Sequence, residues 1–168
     1  MKKIFLCVLF AIISTLTFGQ TITGSFAGLA DSGKAKIIMD FSEASIHGMS
    51  EEDFEYMEPD WSKDLPQIIG YFVGEVADRL NGFVILGSNV KSEYSINVRV
   101  ISISTKGNYV CDAIIKDGEK EVAKIQGVKA DGGNVGTKLN LIKDGAEHTG
   151  KQLGRILLRE IKKYKRKK

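Results

Sequence analysis

Between Ser92 and Lys129 apolar and polar residues alternate with period two through three successive stretches, SEYSINVRVISIS, NYVCDAIIKD and EKEVAKIQGVK. A period of two places every second side chain on the same face of a strand. Tyr94, Ile96, Val98 and Val100 form one such face, and Tyr109, Cys111, Ala113 and Ile115 the next. Ala123, Ile125 and Gly127 form a third. After Val100 the phase slips to Ile101 and Ile103, which predicts a bulge. Lys106-Gly107-Asn108 and Asp117-Gly118 are short turns, so the three strands read as an antiparallel meander. An earlier stretch, KAKIIMDF at Lys34–Phe41, predicts a first strand with Ile37 and Met39 on one side.

Two segments carry the helical period instead. Leu65, Ile68, Ile69, Phe72, Val73, Val76 and Leu80 make one apolar stripe over 63–80, with Pro66 in its first turn and Asn81-Gly82 at its end. Leu153, Ile156, Leu157, Ile161 and Tyr164 make a second over 150–164. Phe83–Leu86 reads as a short buried strand, and Leu139 with Leu141 as a last extended piece. The pattern therefore predicts an α+β fold: a mostly antiparallel sheet containing a three-strand meander, with two amphipathic helices packed on one face. The opposite face would be semi-polar, lined by Arg99, Asp112, Lys124 and Gln126.

The ends of the chain read differently. Met1-Lys2-Lys3, the apolar run Ile4–Leu16 and the small residue Gly19 have the form of a secretory signal peptide over residues 1–19. The run is too short to span a bilayer, which takes about 18–20 residues. Cys7 lies inside the apolar run, not after it, which disfavours a lipid anchor. Residues 20–33 are small and Gly-rich and read as an exposed, flexible leader with room for a short edge strand, 34–164 as a single domain and 165–168 as a basic tail. The expected location is the periplasm or the cell surface. Of 24 basic and 21 acidic side chains, Lys2 and Lys3 fall within the signal, so the remainder is near neutrality.

Chemistry is sparse. Cys111 is the only cysteine past the signal, which leaves neither a disulfide nor a thiolate zinc site, and no cofactor is called for. No serine sits in a G-x-S-x-G turn. The loop ADGGNVG at 130–136 lacks the spacing of a phosphate-binding GxxxxGK[ST] and reads as a flexible connection. The densest segment is 42–61, SEASIHGMSEEDFEYMEPDW, where seven acids surround Phe54, Tyr56, Met57 and Trp61. Ser50 is placed to cap a short helical turn there. The candidate binding residues are Glu43, His47, Phe54, Tyr56, Trp61, Arg99 and Lys124.

The run SINVRVISISTKGNYVCDAIIKDGEKEVAKIQG, the Gly-rich loop and DGAEHTGKQLGRILLREIKK together resemble small exported Bacteroidetes proteins of unknown function. They also resemble envelope domains of the kind found at the N-terminus of the TolB family and in outer-membrane activators of peptidoglycan synthesis. That resemblance covers about residues 34–164 and implies action through contacts with an envelope protein, with no catalytic residue carried over. The leading expectation is thus an exported, non-enzymatic binding or assembly module. A second is a small metal-dependent or hydrolytic enzyme using Asp40, Glu43 and His47. A third is a peripheral membrane protein held through Arg155, Arg159, Lys162 and Lys163, since Glu160 is the only acid from Gly150 onward. An export signal disfavours nucleic acid as partner.

Overall fold

The computed structural model describes residues 19–168, so the predicted signal peptide lies almost wholly outside the described residues. Alternation is sharpest in β2 (Lys34–Asp40), where Ala35, Ile37 and Met39 are buried and the residues between them are exposed. The same inward face continues through Ile96, Val98 and Val100 of β5 (Tyr94–Ile103) and Cys111, Ala113 and Ile115 of β6 (Tyr109–Asp117). It ends with Ala123, Ile125 and Val128 of β7 (Lys120–Ala130). β5, β6 and β7 are the antiparallel meander, with a register shift between Val100 and Ser102 where the apolar phase slips.

The sheet as a whole is mixed, and the expectation of a mostly antiparallel one is corrected. Its order is β1-β7-β6-β5-β2-β4, with β1 at Thr21–Gly24 and β4 at Ile85–Gly87, and with β3 (Ser45–Ile46) pairing beside β5. β2 runs parallel to both β4 and β5, and β3 runs parallel to β5. The cause is the crossover: a chain that leaves one end of β2 and returns along a helix re-enters the sheet in the same direction. Hydrophobic alternation reports which face is buried. It carries no record of which strand lies alongside.

Among the described residues there are four helices, not two. α3 (Trp61–Leu80) and α4 (Lys138–Lys165) pack on each other and share one core with the inward face of the sheet. α1 (Ala27–Ser32) and α2 (Glu51–Met57) are short additions. α1 and β1 occupy the stretch expected as an exposed leader: β1 pairs with β7, and Phe26, Leu29 and Ala30 are buried. α3 begins at Trp61, two residues earlier than predicted, because Trp61 is itself buried. Pro66 therefore falls in the second turn and leaves the Ser62 carbonyl without its intrahelical donor.

α4 is the larger revision. It starts at Lys138, capped by the Thr137 hydroxyl accepting from Asn140 N–H at 3.3 Å, and absorbs the piece expected to be extended. Glycines at 145, 150 and 154 weaken its helical signal in the sequence, yet each is a point of close approach. A Cβ at Gly145 would strike the Gly107 carbonyl and the Tyr109 ring, and one at Gly150 would strike the Phe72 carbonyl. One at Gly154 would lie 2.7 Å from the Arg79 Cβ. Gly74 of α3 faces open space.

Alanine at these two kinds of position should act in opposite directions. Gly145→Ala should destabilise the fold by about 1–3 kcal/mol through overpacking, whereas Gly74→Ala should stabilise it by about 0.5–1 kcal/mol through helix propensity. Urea unfolding of both variants reads the sign directly. Stabilisation by both would refute the close-approach reading.

Candidate functional site

The residues singled out along the chain fall in two places, one end of the core and the open face of the sheet. Phe54 and Trp61 do not form an exposed patch. They are fully buried in an edge-to-face cluster, with Trp61 5.3 Å from Phe54 and 5.6 Å from Phe41 between ring centroids. The Trp61 indole N–H donates to Glu51 at 3.2 Å. Ser50 caps α2 as expected, its hydroxyl accepting from Asp53 N–H at 3.1 Å. Only Tyr56, 85% exposed, and Met57 are presented to solvent. In this segment the aromatic residues close one end of the core, because a seven-residue helix has a single buried face and Phe54 occupies it.

His47 belongs to the same end. Its ring stands edge-on to Phe54 at 5.1 Å, its backbone φ is 55°, and its Nε2 is buried without a partner. Glu43 points away to solvent and meets Arg99 at 3.6 Å, while Asp40 accepts from the Ser42 N–H at 3.0 Å. Asp40, Glu43 and His47 therefore engage three different partners. No group of three or more His, Cys, Asp or Glu side chains suited to a metal ion occurs among the described residues.

Burial, then the Lys138 charge, lower the His47 pKa below its ordinary value of 6.5. The folded chain thus binds this proton less readily than the unfolded one. The stability it contributes is complete above pH 6.5 and is lost as the pH falls below that value. The drop in urea midpoint between about pH 7.5 and about pH 5.5 should be smaller in His47→Asn, a residue that tolerates the same positive φ. An equal drop would remove His47 from the acid response.

The sheet face opposite the long helices carries Arg99 and Lys124. Lys124 lies in register with Thr23 and Ile114. Arg99 pairs across the strands with Asp112, whose carboxylate is 3.5 Å from the guanidinium and only 5% exposed. The other Asp112 oxygen accepts from Gly127 N–H at 2.9 Å. Gly127 has φ 68°, at the bulge where β7 slips against β6, so Val128 and not Gly127 continues the buried face. This carboxylate is a structural cap. Asp112→Ala should cost about 1–3 kcal/mol in unfolding free energy by orphaning that N–H, and Arg99→Ala less than about 1 kcal/mol. The reverse ranking would mean that the ion pair, not the cap, matters. On the buried side, burial pushes the Cys111 thiol up to about 12, which makes it a core residue and not a nucleophile.

A third place was not singled out from the sequence. A cleft of about 710 Å³ opens between the β5–β6 turn, the end of β7, the loop over 131–136 and α4. Lys106, Lys129, Lys151 and Arg155 converge on it, with His148, Asn108, Asn134, Gln152 and Asp131. Its floor is made where backbones touch. A Cβ at Gly132 would strike the Lys106 carbonyl, and one at Gly107, φ 74°, the Leu141 carbonyl. His148, Lys151, Gln152 and Arg155 follow at three- and four-residue steps, one face of α4.

The hydrogen bonds decide how such a cleft works. Gly132 N–H donates to the Asn108 side-chain oxygen at 2.8 Å, and Gly133 N–H to the Leu141 carbonyl at 3.4 Å. The Gly132 and Gly133 amides are thus spent internally and are not offered to an anion. His148 Nδ1 lies 2.8 Å from the Asp131 carbonyl, which can only accept, so Nδ1 carries the proton and Nε2 remains for a ligand. Lys151 is held by Glu147 and Glu75. No carboxylate of the described residues lies within ion-pair distance of Lys106, Lys129 or Arg155, which leaves three uncompensated cations around one concavity.

Comparison with protein-family models, curated proteins and solved structures finds no match. The class defined here is that of the geometry itself, an α+β domain with a mixed seven-stranded sheet and a basic side-chain cleft.

Proposed function

We propose that this protein is an exported, non-enzymatic binding module of the bacterial envelope, and that it holds an anionic ligand in the cleft between the 131–136 loop and α4. The observation that carries the reading is the convergence of Lys106, Lys129 and Arg155, contributed by three separate elements and left without ion-pair partners. All three side chains are exposed, so they are open to an incoming anion and concentrate positive potential at the cleft. Export is supported by the apolar run behind Lys2-Lys3, and no helix among the described residues is long and apolar enough to cross a membrane.

The far end of α4 supports the membrane alternative less well. Arg159 and Lys163 pair with Glu160, Lys162 sits 5.2 Å over the Phe83 ring, and Lys168 reaches Asp31. Those cations are largely committed within the molecule, whereas the ones in the cleft are not.

Calorimetric titration with pyrophosphate and with citrate at low salt tests the reading. At least one should bind, with affinity that falls as salt rises. The double variant Lys129→Ala/Arg155→Ala should weaken it by at least about tenfold while its unfolding midpoint stays close to that of the parent. Binding of neither anion, or unchanged affinity in the double variant, would refute it.

A further inference from the structure

We propose that the ligand of the basic cleft is an anionic saccharide, a sugar bearing a phosphate or a carboxylate; this rests on reading the cleft as an anion-binding site. Size is the first argument. About 710 Å³ falls within the usual range of small-molecule sites and exceeds what one tetrahedral anion fills. A charged group takes part of the space, which leaves room for an uncharged portion of the same ligand.

The lining specifies what that remainder is. It contains no Phe, Tyr or Trp, His148 is its one aromatic ring, and Ala130 is its only apolar side chain. An apolar tail, which needs apolar walls, is not served by it. What the walls offer is hydrogen bonds in both senses. Asn108 spends its oxygen on Gly132 N–H, which leaves its NH₂ as a donor, and Asn134 and Gln152 supply both donors and acceptors.

Asp131 settles the choice among anions. A carboxylate offers acceptors, and Asp131 lines the cleft together with the cations. A polyphosphate can meet the cations but has acceptors only, and so leaves Asp131 without a donor. A ligand with hydroxyl groups at one end and negative charge at the other satisfies Asp131 and the Lys106–Lys129–Arg155 arc together. An acidic peptide could supply N–H donors instead, but the Gly132 and Gly133 amides, which would have to pair with an extended backbone, are already engaged.

The experiment is a calorimetric panel on the intact protein: glucuronate, glucose 6-phosphate, glucose, inorganic phosphate and a hexaglutamate peptide. Glucuronate or glucose 6-phosphate should bind at least about tenfold tighter than phosphate, glucose or the peptide. Asp131→Ala should weaken that sugar by about threefold or more and leave phosphate unweakened. The substitution leaves the backbone carbonyl that holds His148 in place, so the loop is retained. Phosphate as tight as the sugars, or glucose as tight as its charged counterparts, would overturn the saccharide assignment while leaving an anion or ligand site standing. Tighter binding of the peptide would overturn it in favour of a protein partner. Binding of no anion in the panel would overturn the binding-module reading itself.

Discussion

The contact on which the rest depends is that of α4 with the backbones beneath it. Gly145, Gly150 and Gly154 give up helix propensity, about 1 kcal/mol each relative to alanine, and in return the helix reaches the Gly107 carbonyl, the Phe72 carbonyl and the start of the Arg79 side chain. Buried Thr149 adds a hydroxyl bond back to the Gly145 carbonyl at 2.6 Å, satisfying the one polar side chain in that seam. Side chains elsewhere in the core can reorganise around a lost methyl. Backbone against backbone has no such freedom, so the position of α4 over both α3 and the β5–β6 turn is tightly constrained.

That fixed position is what gives the molecule a cleft. The turn bearing Lys106 and Asn108, the loop bearing Asp131 and Asn134, and the face of α4 bearing His148 to Arg155 meet through Gly107, Gly132 and Gly145. Because α4 buries Leu153, Ile156 and Leu157 on one side, its cationic stripe cannot rotate away from the opening. The packing constraint and the candidate function are therefore one arrangement seen from two sides, and the glycines join them.

This explains what was legible in the chain. The meander, the first strand, the stripe of α3 and the cap at Ser50 are local, and their periodicities record which face each element buries. The parallel pairing of β2 with β5 is not local; it follows from the crossover through α3, and alternation is silent about it. The first twelve residues of α4 are illegible because Gly145 interrupts the helical signal that evenly spaced apolar residues would give: Ile142 and Ala146 are buried, but they stand among glycine and polar residues. Phe54 and Trp61 attracted attention by sitting among acids, yet a large aromatic in a short amphipathic turn packs inward wherever its neighbours can stay wet. The cleft was least legible of all, since its cations are scattered from Lys106 to Arg155 and only the fold unites them. The one signal available was the stripe His148, Lys151, Gln152 and Arg155, set opposite the buried face of a helix whose start was misplaced.

The same comparison ranks the two charged surfaces on the protein. Along the open sheet face, Arg99 is drawn to Glu43 and Asp112, and Asp112 is in turn committed to the bulge at Gly127. That network completes itself and asks for no partner. In the cleft, Lys151 is similarly balanced by Glu147 and Glu75, but it is the exception among its neighbours. Held in place by those two carboxylates, it gives one wall a fixed donor and costs an arriving ligand little ordering entropy. Lys106, Lys129 and Arg155 then supply the unbalanced charge. A site with one cation held by its own carboxylates and three left open is arranged for selective capture, because the fixed group sets geometry and the open ones supply affinity. The acidic segment before α3 offers neither feature, and for that reason the functional weight moves from the front of the chain to the junction of β7 and α4.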